Sequence, residues 1–160
     1  MRRSGDDGMA EVEQMLFTVG VFQDALWAER GIEALTRQGF APSAMSVLAK
    51  ETPEVMALIE RLMGPSPDRI DLPAVGRAIV RGALIDALQG NARDLGRVGV
   101  AAAMRRAGFQ PHDGLIYETL AGRGGILVAL HGAPRAADAL ATMLSYGGGN
   151  AAIGAWAGRV

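Results

Sequence analysis

The chain has 160 residues, of which 49% are hydrophobic and 21% are charged, and its formal net charge is −1. A chain of this length can bury a sizeable core in one domain, and its near-neutral charge gives no field that favours nucleic acid or anionic membranes. Cysteine is absent, which excludes disulfides, thiolate nucleophiles and cysteine-ligated metal sites and fits a cytoplasmic location.

Residues 1–14 form a polar lead, "MRRSGDDGMAEVEQ", that contains two early arginines. It has no apolar run of the kind that a secretory signal needs, and its composition favours disorder. The remaining residues, 15–160, are predicted to form a single α+β domain. No window offers the roughly 18 continuous apolar residues of a membrane-spanning helix, so we expect no membrane partner.

The first unit, residues 15–50, has the pattern strand–helix–strand. The apolar run "LFTVGVF", rich in β-formers, predicts a buried strand from Leu16 to Phe22. Asp24 is placed to cap the helix that follows, whose apolar residues recur at spacings of three and four. Gly39 ends this helix, and "AMSVLAK" at residues 44–50 predicts the second strand.

The long connection at residues 53–121 is predicted to be a helical insert, because a plain loop of this length is rare. Its "GPSPDRIDLP" stretch indicates a turn-rich linker, and Val75 to Leu88 are predicted to form a helix with Asp71 as a candidate cap. Gly76 and Gly82 lower the stability of that helix but permit close contacts. The other helices of the insert are predicted at Pro53–Met63, Val98–Ala107 and His112–Ala121.

The second unit, residues 124–160, repeats the pattern of the first. "GGILVALHG" predicts a buried strand, "APRAADALATMLSYGGG" a helix that ends in glycines, and "NAAIGAWAGRV" a last strand. An offset of 109 residues aligns Phe22 with His131 and Gly39 with Gly148. We interpret this as a weak internal repeat of two βαβ units, since short Ala- and Leu-rich helices align easily.

Two stretches resemble the bacterial general stress (heat-induced stress) protein family: "FTVGVFQDALWAERGIEALTRQGFAPSAMSVLAKE" and "GLIYETLAGRGGILVALHG". Domains of that family begin with a "VGVF" strand, an "AERAIEAL"-like helix, a "GF" turn and an "ISVL" strand. The middle of this chain departs from the family, because it keeps the small residues but adds Arg and Asp. The resemblance brings no catalytic residues with it.

The resemblance implies a ferredoxin-like α+β fold, in which a split βαβ repeat forms an antiparallel sheet and a helical insertion separates the two halves. The sheet would have four strands with helices on one face. Its other face needs cover, which either the insert or a second subunit could provide.

His112 and His131 are the only histidines in the chain, and two interpretations are open for them. They could form a metal or acid–base pair with Asp113 or Glu118. Alternatively, His112 precedes a helix that Asp113 caps, and His131 lies at the end of a strand. No HxxH or HExxH spacing is present, so we predict no metal and no cofactor.

Tyr117 and Arg123 complete the set of candidate ligand-binding residues, together with His112 and His131. Tyr117 matches a tyrosine of the resembled family, and it could contact a ligand through its hydroxyl or pack a helix on the sheet. The "GRGG" stretch at residues 122–125 could cradle an anion with its N–H groups and Arg123. It could equally end a helix and begin a strand.

Arg93, Arg97, Arg105 and Arg106 form a local basic cluster. It could attract an anionic partner or be a solvated helix face, with Asp94 diluting the charge. No aromatic residues interleave with these arginines, and the chain contains no P-loop and no G-x-S-x-G elbow. We therefore expect no nucleic-acid partner and no catalytic residue.

These patterns favour a stress-associated, non-catalytic interaction or small-ligand-sensing module that forms a homodimer or larger assembly. Its partner would be a second copy, another protein or a small ligand. One alternative is an enzyme of the dimeric ferredoxin-like barrel type, which would gather His112, Tyr117, Glu118 and His131 in one cleft. The other is a scaffold or peripheral membrane protein that uses the Gly/Ala-rich insert.

Overall fold

The computed structural model describes residues 17–65, 67–131 and 135–147 of the chain. These residues form an α+β fold, in which helices pack on both faces of one five-stranded antiparallel sheet. The polar lead predicted at residues 1–14 and the last strand predicted at residues 150–160 lie outside the described residues.

The strands and helix of the first unit have the predicted order and nearly the predicted bounds.

The described residues form five strands and seven α-helices. The strands are β1 (Phe17–Phe22), β2 (Met45–Lys50), β3 (Asp68–Leu72), β4 (Gly76–Arg81) and β5 (Ile126–His131). The helices are α1 (Ala25–Arg37), α2 (Pro53–Met63), α3 (Ala83–Gln89), α4 (Leu95–Val98), α5 (Val100–Arg106), α6 (Pro111–Gly122) and α7 (Ala136–Ser145). A 3₁₀ turn at Pro42–Ala44 leads into β2.

The strands lie in the order β1-β5-β2-β4-β3, and every neighbouring pair is antiparallel. β5 therefore separates β1 from β2, so the first unit is a βαβ unit split by a strand from the second. A further strand is needed to complete a ferredoxin-like arrangement, and its predicted residues lie outside the described ranges. The ferredoxin-like assignment thus stays a prediction.

The sequence prediction was wrong at residues 64–88, where a linker and a long helix were expected. The structure instead has the hairpin β3–β4, which turns at Pro73 and Ala74, and only the short helix α3 follows it. Asp71 lies within β3 and caps no helix. The insert therefore adds two strands that were not predicted, and the described residues contribute five strands to the sheet.

Gly76 begins β4 and Gly82 follows it, so both glycines lie at strand boundaries. Their φ angles are 96° and 106°, values outside the helical range. The apolar residues between them, Ala78 to Val80, are buried because both faces of the sheet are covered. A strand of this kind shows a continuous apolar run, which periodicity alone cannot distinguish from a buried helix.

The two faces of the sheet belong to two separate apolar clusters. On one face, α1, α2 and α7 pack against residues that include Val47, Ile79 and Val128. On the other face, the insert helices α3 to α6 pack against residues that include Val19 and Leu48. The four-stranded arrangement with helices on one face left the second face to be covered by the insert or by a second subunit, and in the structure the insert covers it.

The two units correspond under the predicted offset. Phe17 and Ile126 lie 109 residues apart, as do Phe22 and His131, so β1 maps onto the whole of β5. The helices that follow, α1 and α7, lie on the same face and contact each other. In the sheet, Phe17 pairs with His131 and Phe22 with Ile126, so the pairing is symmetric under exchange of the units.

Both predicted ends of α1 are confirmed. The backbone N–H of Trp27 donates to Oδ1 of Asp24 at 2.9 Å, which satisfies one of the free donors of the first turn. Gly39 follows the helix with a φ of 99°, and the N–H of Phe40 donates to the carbonyl of Leu35 at 3.1 Å. The buried ring of Phe40 thus packs back on the helix that it follows.

Candidate functional site

The four predicted ligand-binding residues do not form one site. α6 carries His112 in its first turn and Tyr117 in its middle, and Arg123 follows its last residue. His112 and Arg123 are exposed and lie 11 positions apart, which is about 16 Å along a helix. His131 ends β5, where its ring centroid lies 4.9 Å from that of Phe17.

Tyr117 is a core residue, with 1% of its surface exposed. Its ring meets that of Phe109 edge to face, with centroids 6.5 Å apart. Within the described structure its hydroxyl has no hydrogen-bond partner, and burial, followed by the charge of Asp113, raises the pKa of this hydroxyl. The ring of Tyr117 therefore packs α6 on the sheet, and its enclosed hydroxyl does not face a ligand.

Two carboxylates of α6 also have structural surroundings. Asp113 is 3% exposed and lies within α6, so it is not the predicted cap. Burial is the main influence on its carboxyl and raises the pKa, whereas the nearby His112 lowers the pKa. Oε2 of Glu118 accepts a hydrogen bond from the N–H of Ala101 at 3.1 Å, in the first turn of α5. In the described ranges no cluster of three or more His, Asp or Glu residues could hold a metal ion.

Asp94 engages two of the four arginines of the predicted basic cluster. Its carboxylate accepts hydrogen bonds from Arg97 and Arg106, each at 2.8 Å. The hydrogen bond from Arg106 is the main cause of the lowered pKa of Asp94. Arg106 also donates to the carbonyl of Leu88 at the end of α3, at 2.6 Å. Arg106 therefore fastens α5 to the loop after α3, whereas Arg97 belongs to α4 and pairs with Asp94 within the same segment.

A cleft of about 640 Å³ lies between the β3–β4 hairpin and α3. Its lining includes an apolar part formed by Ile70 and Ile85 and five charged residues: Asp68, Arg69, Arg81, Asp86 and Arg93. The guanidinium of Arg93 and the two carboxylates form no ion pair or hydrogen bond among the described residues. Of the other two arginines, Arg69 donates to Glu51 and Arg81 donates to the carbonyls of Gly64 and Pro65, so Arg93 and the two aspartates are the charged lining groups without a partner in the described part of the chain.

Arg93 lies in the loop at residues 90–94, between α3 and α4, which places it at the cleft. The φ of Arg93 is 49°, a left-handed conformation that is uncommon for residues other than glycine. On one side of the loop, Oε1 of Gln89 accepts a hydrogen bond from the N–H of Leu95 at 3.0 Å. On the other side, Asp94 is fixed by its two arginines. Strained positions with such support are frequent at functional sites.

The cleft was missed because its walls were assigned to the wrong elements. Arg93 was singled out only as part of a basic cluster, and Asp68 was placed in a linker. The stretch "DRIDLPAVGRAIV" does carry a hairpin signal, since polar and apolar residues alternate before a Pro-containing turn that ends in Gly76. That signal would have placed Asp68 and α3 on the same side of the molecule.

The comparisons with known proteins identify no function, so the function is inferred from the geometry of the structure. No protein-family model matches the chain. No curated protein and no solved structure gives a significant match either. Among the described helices, none has the length and apolar character to cross a membrane.

Proposed function

We propose that this chain is a non-catalytic, small-ligand-sensing module, and that the cleft between the β3–β4 hairpin and α3 is its binding site. The observation that carries the proposal is the guanidinium of Arg93, which has no partner among the described residues and lines the same cleft as the carboxylates of Asp68 and Asp86. The stress association belongs to the proposal through the sequence resemblance alone.

The charges of the cleft indicate the class of ligand. A guanidinium binds a carboxylate or phosphate through two parallel hydrogen bonds, whereas Asp68 and Asp86 attract an ammonium group. The nearby Ile70 and Ile85 offer contact for a short apolar chain. A small zwitterion, such as a free amino acid, carries all three features.

The separation of the candidate polar residues supports a non-catalytic function over the enzyme alternative. General acid–base chemistry needs its groups within hydrogen-bond reach of one substrate. Tyr117 is enclosed in the core, Glu118 is engaged by α5, and His131 contacts Phe17. The cluster on which an enzyme would depend is therefore not assembled from these residues.

The glycines of the insert weigh against the scaffold alternative. That alternative would use Gly76, Gly82, Gly90 and Gly99 for close helix contacts, but Gly76 lies in β4, where a Cβ would meet nothing within 4 Å. A Cβ at Gly82 would meet the backbone of Ser46 at 2.6 Å, and a Cβ at Gly99 would meet Glu118 at 3.1 Å. Both glycines thus serve close contacts inside the chain.

Binding by titration calorimetry, with free amino acids, short dicarboxylates and diamines at millimolar concentrations, tests the proposal. We expect amino acids to bind and the other two classes to bind more weakly, because each leaves part of the cleft unpaired. Arg93→Ala should weaken binding at least about tenfold, which corresponds to about 1.4 kcal/mol. Asp86→Asn should weaken binding of the same ligand.

Arg105→Ala is the matched control, because Arg105 is an exposed arginine of α5 that does not line the cleft. It should bind as the unaltered chain does. Equal loss of binding in the Arg93 and Arg105 variants would contradict a specific site. Absence of binding by every amino acid tested would contradict the ligand class.

A further inference from the structure

The two edges of the described sheet differ in exposure. β1 lies at one edge, yet all six of its residues are buried. β3 lies at the other edge, where Asp68, Arg69 and Asp71 are exposed and Ile70 is partly buried. β3 pairs with β4 alone among the described strands, so its outer edge offers unpaired backbone groups to another strand.

The charged side chains of this edge have a definite arrangement. Arg69 and Asp71 are two positions apart in β3, so they lie on the same face of the sheet. Nε of Arg69 lies 2.8 Å from a carboxylate oxygen of Glu51. The carboxylate of Asp71 has no ion-pair partner among the described residues. The edge thus carries one free negative charge next to an exposed arginine.

We propose that β3 pairs antiparallel with β3 of a second copy, about a two-fold axis at Ile70. In this register Arg69 of each copy lies opposite Asp71 of the other copy, and Ile70 lies opposite Ile70. The sequence "DRIDL" is therefore complementary in charge to itself when it is read in the opposite direction. The pairing joins the two five-stranded sheets into one continuous sheet.

Charge and symmetry favour a second copy over an unrelated strand. Opposite charges directly across an antiparallel pair stabilise it, and like charges oppose it. A shift of the axis by one residue, to Arg69, would place the two arginines against each other. An isologous contact of this kind closes after two copies and leaves no further β3 edge exposed.

The pairing is short. α4 approaches the turn end of β3 at Gly96, where a Cβ would lie 3.2 Å from the carbonyl oxygen of Asp71. α4 therefore limits the contact at Asp71, which is the last residue of β3 in the pairing, and the contact centres on Ile70 of each copy. Small interfaces are typical of transient complexes, so we expect a monomer–dimer equilibrium that depends on protein concentration.

Sedimentation equilibrium over a concentration series, with the full chain, tests the proposal. Arg69→Asp and Asp71→Arg should each raise the dissociation constant of the dimer at least tenfold, because each places like charges opposite one another. Mixed in equal amounts, the two variants should form a heterodimer, since the new carboxylate of one chain then faces the new guanidinium of the other. Native mass spectrometry identifies the heterodimer by mass.

Arg77→Ala is the control, because Arg77 shares Glu51 with Arg69 but lies on β4 and away from the edge. It should dimerise as the unaltered chain does, and circular dichroism checks that every variant is folded. A chain that stays monomeric at all concentrations would overturn the proposal. So would a dimer that neither charge reversal weakens, or a mixture of the two variants that forms no heterodimer.

Discussion

The hydroxyl oxygen of Ser46 accepts a hydrogen bond from the backbone N–H of Leu84 at 2.9 Å, across 38 positions of sequence. Both residues are buried, and the bond joins the central strand β2 to the first turn of α3. Ser46→Ala would leave that N–H buried without a partner. We expect the free energy of unfolding to fall by about 1–3 kcal/mol, measured by urea denaturation.

Ser145→Ala is the matched control for this measurement. The hydroxyl of Ser145 donates to the carbonyl of Ala141 on the exposed side of α7. Its loss should change the free energy of unfolding by less than about 0.5 kcal/mol, as is usual for surface positions. If the two changes lowered the free energy of unfolding equally, the buried hydrogen bond to Leu84 would contribute no more to stability than the exposed one.

Gly31→Ala should destabilise the chain, although alanine is the better helix former. A Cβ at Gly31 would collide with the ring of Phe22, which is buried between α1 and the sheet. Overpacking of this kind costs about 1–3 kcal/mol.

A double-mutant cycle with Phe22→Leu measures this contact. If the ring is the obstacle, the Gly31→Ala change should cost less in the Phe22→Leu background than alone, by about 0.5–3 kcal/mol. Additive effects of the two changes would contradict a direct contact. Thermal unfolding of the four chains gives the required free energies.

Tyr117→Phe should leave the free energy of unfolding unchanged or raise it. The hydroxyl of Tyr117 is buried without a partner in the described structure, so its removal relieves a desolvation penalty of about 1–3 kcal/mol and keeps the ring contact with Phe109. Tyr117→Ala, by contrast, should cost about 3–5 kcal/mol through the cavity that it leaves. Strong destabilisation by Phe would point to a partner for the hydroxyl.

Asp113 should make stability depend on pH. Burial raises the pKa of its carboxyl in the folded chain above 3.8, its ordinary value. The folded state then holds the proton more tightly, so this contribution to stability is present below pH 3.8 and is lost as the pH rises through the folded pKa. Asp113→Asn should therefore gain stability relative to the unaltered chain between acid and neutral pH.

Urea denaturation at several pH values measures this difference. A difference between the two chains that does not change with pH would contradict the raised pKa. His112→Gln provides a further comparison, because His112 lowers the pKa of Asp113. Its removal should enlarge the pH dependence of the chain that retains Asp113.

Local signals sufficed for the first unit of the fold. Asp24 and Gly39 mark the ends of α1 in the sequence because capping depends on residues within one turn. The same reasoning failed at Gly76 and Gly82, since a glycine in an apolar run permits either a helix contact or a strand boundary. Helices pack on both faces of the sheet and bury Ala78 to Val80 from both sides. This burial favours a strand, and it depends on tertiary structure that the local sequence does not reveal.

The candidate site was harder to predict than the fold. Tyr117, His112 and His131 were chosen by residue type, but type does not reveal that Tyr117 is enclosed or that His131 packs on Phe17. Arg93 stands out through its backbone angle and because its guanidinium forms no ion pair among the described residues, and neither property is visible in a sequence. The cleft itself requires the hairpin and α3 together.

The pairing of β1 with β5 has a consequence for synthesis of the chain. Its closest pair in sequence, Phe22 with Ile126, spans 104 positions, whereas Leu72 and Gly76 of the hairpin pair almost at once. A ribosome adds about 5–20 residues each second, so β1 waits roughly 5–20 s for its partner strand. During that interval the nascent chain carries an apolar "FTVGVF" segment without its sheet, which makes β1 the natural point of contact for chaperones.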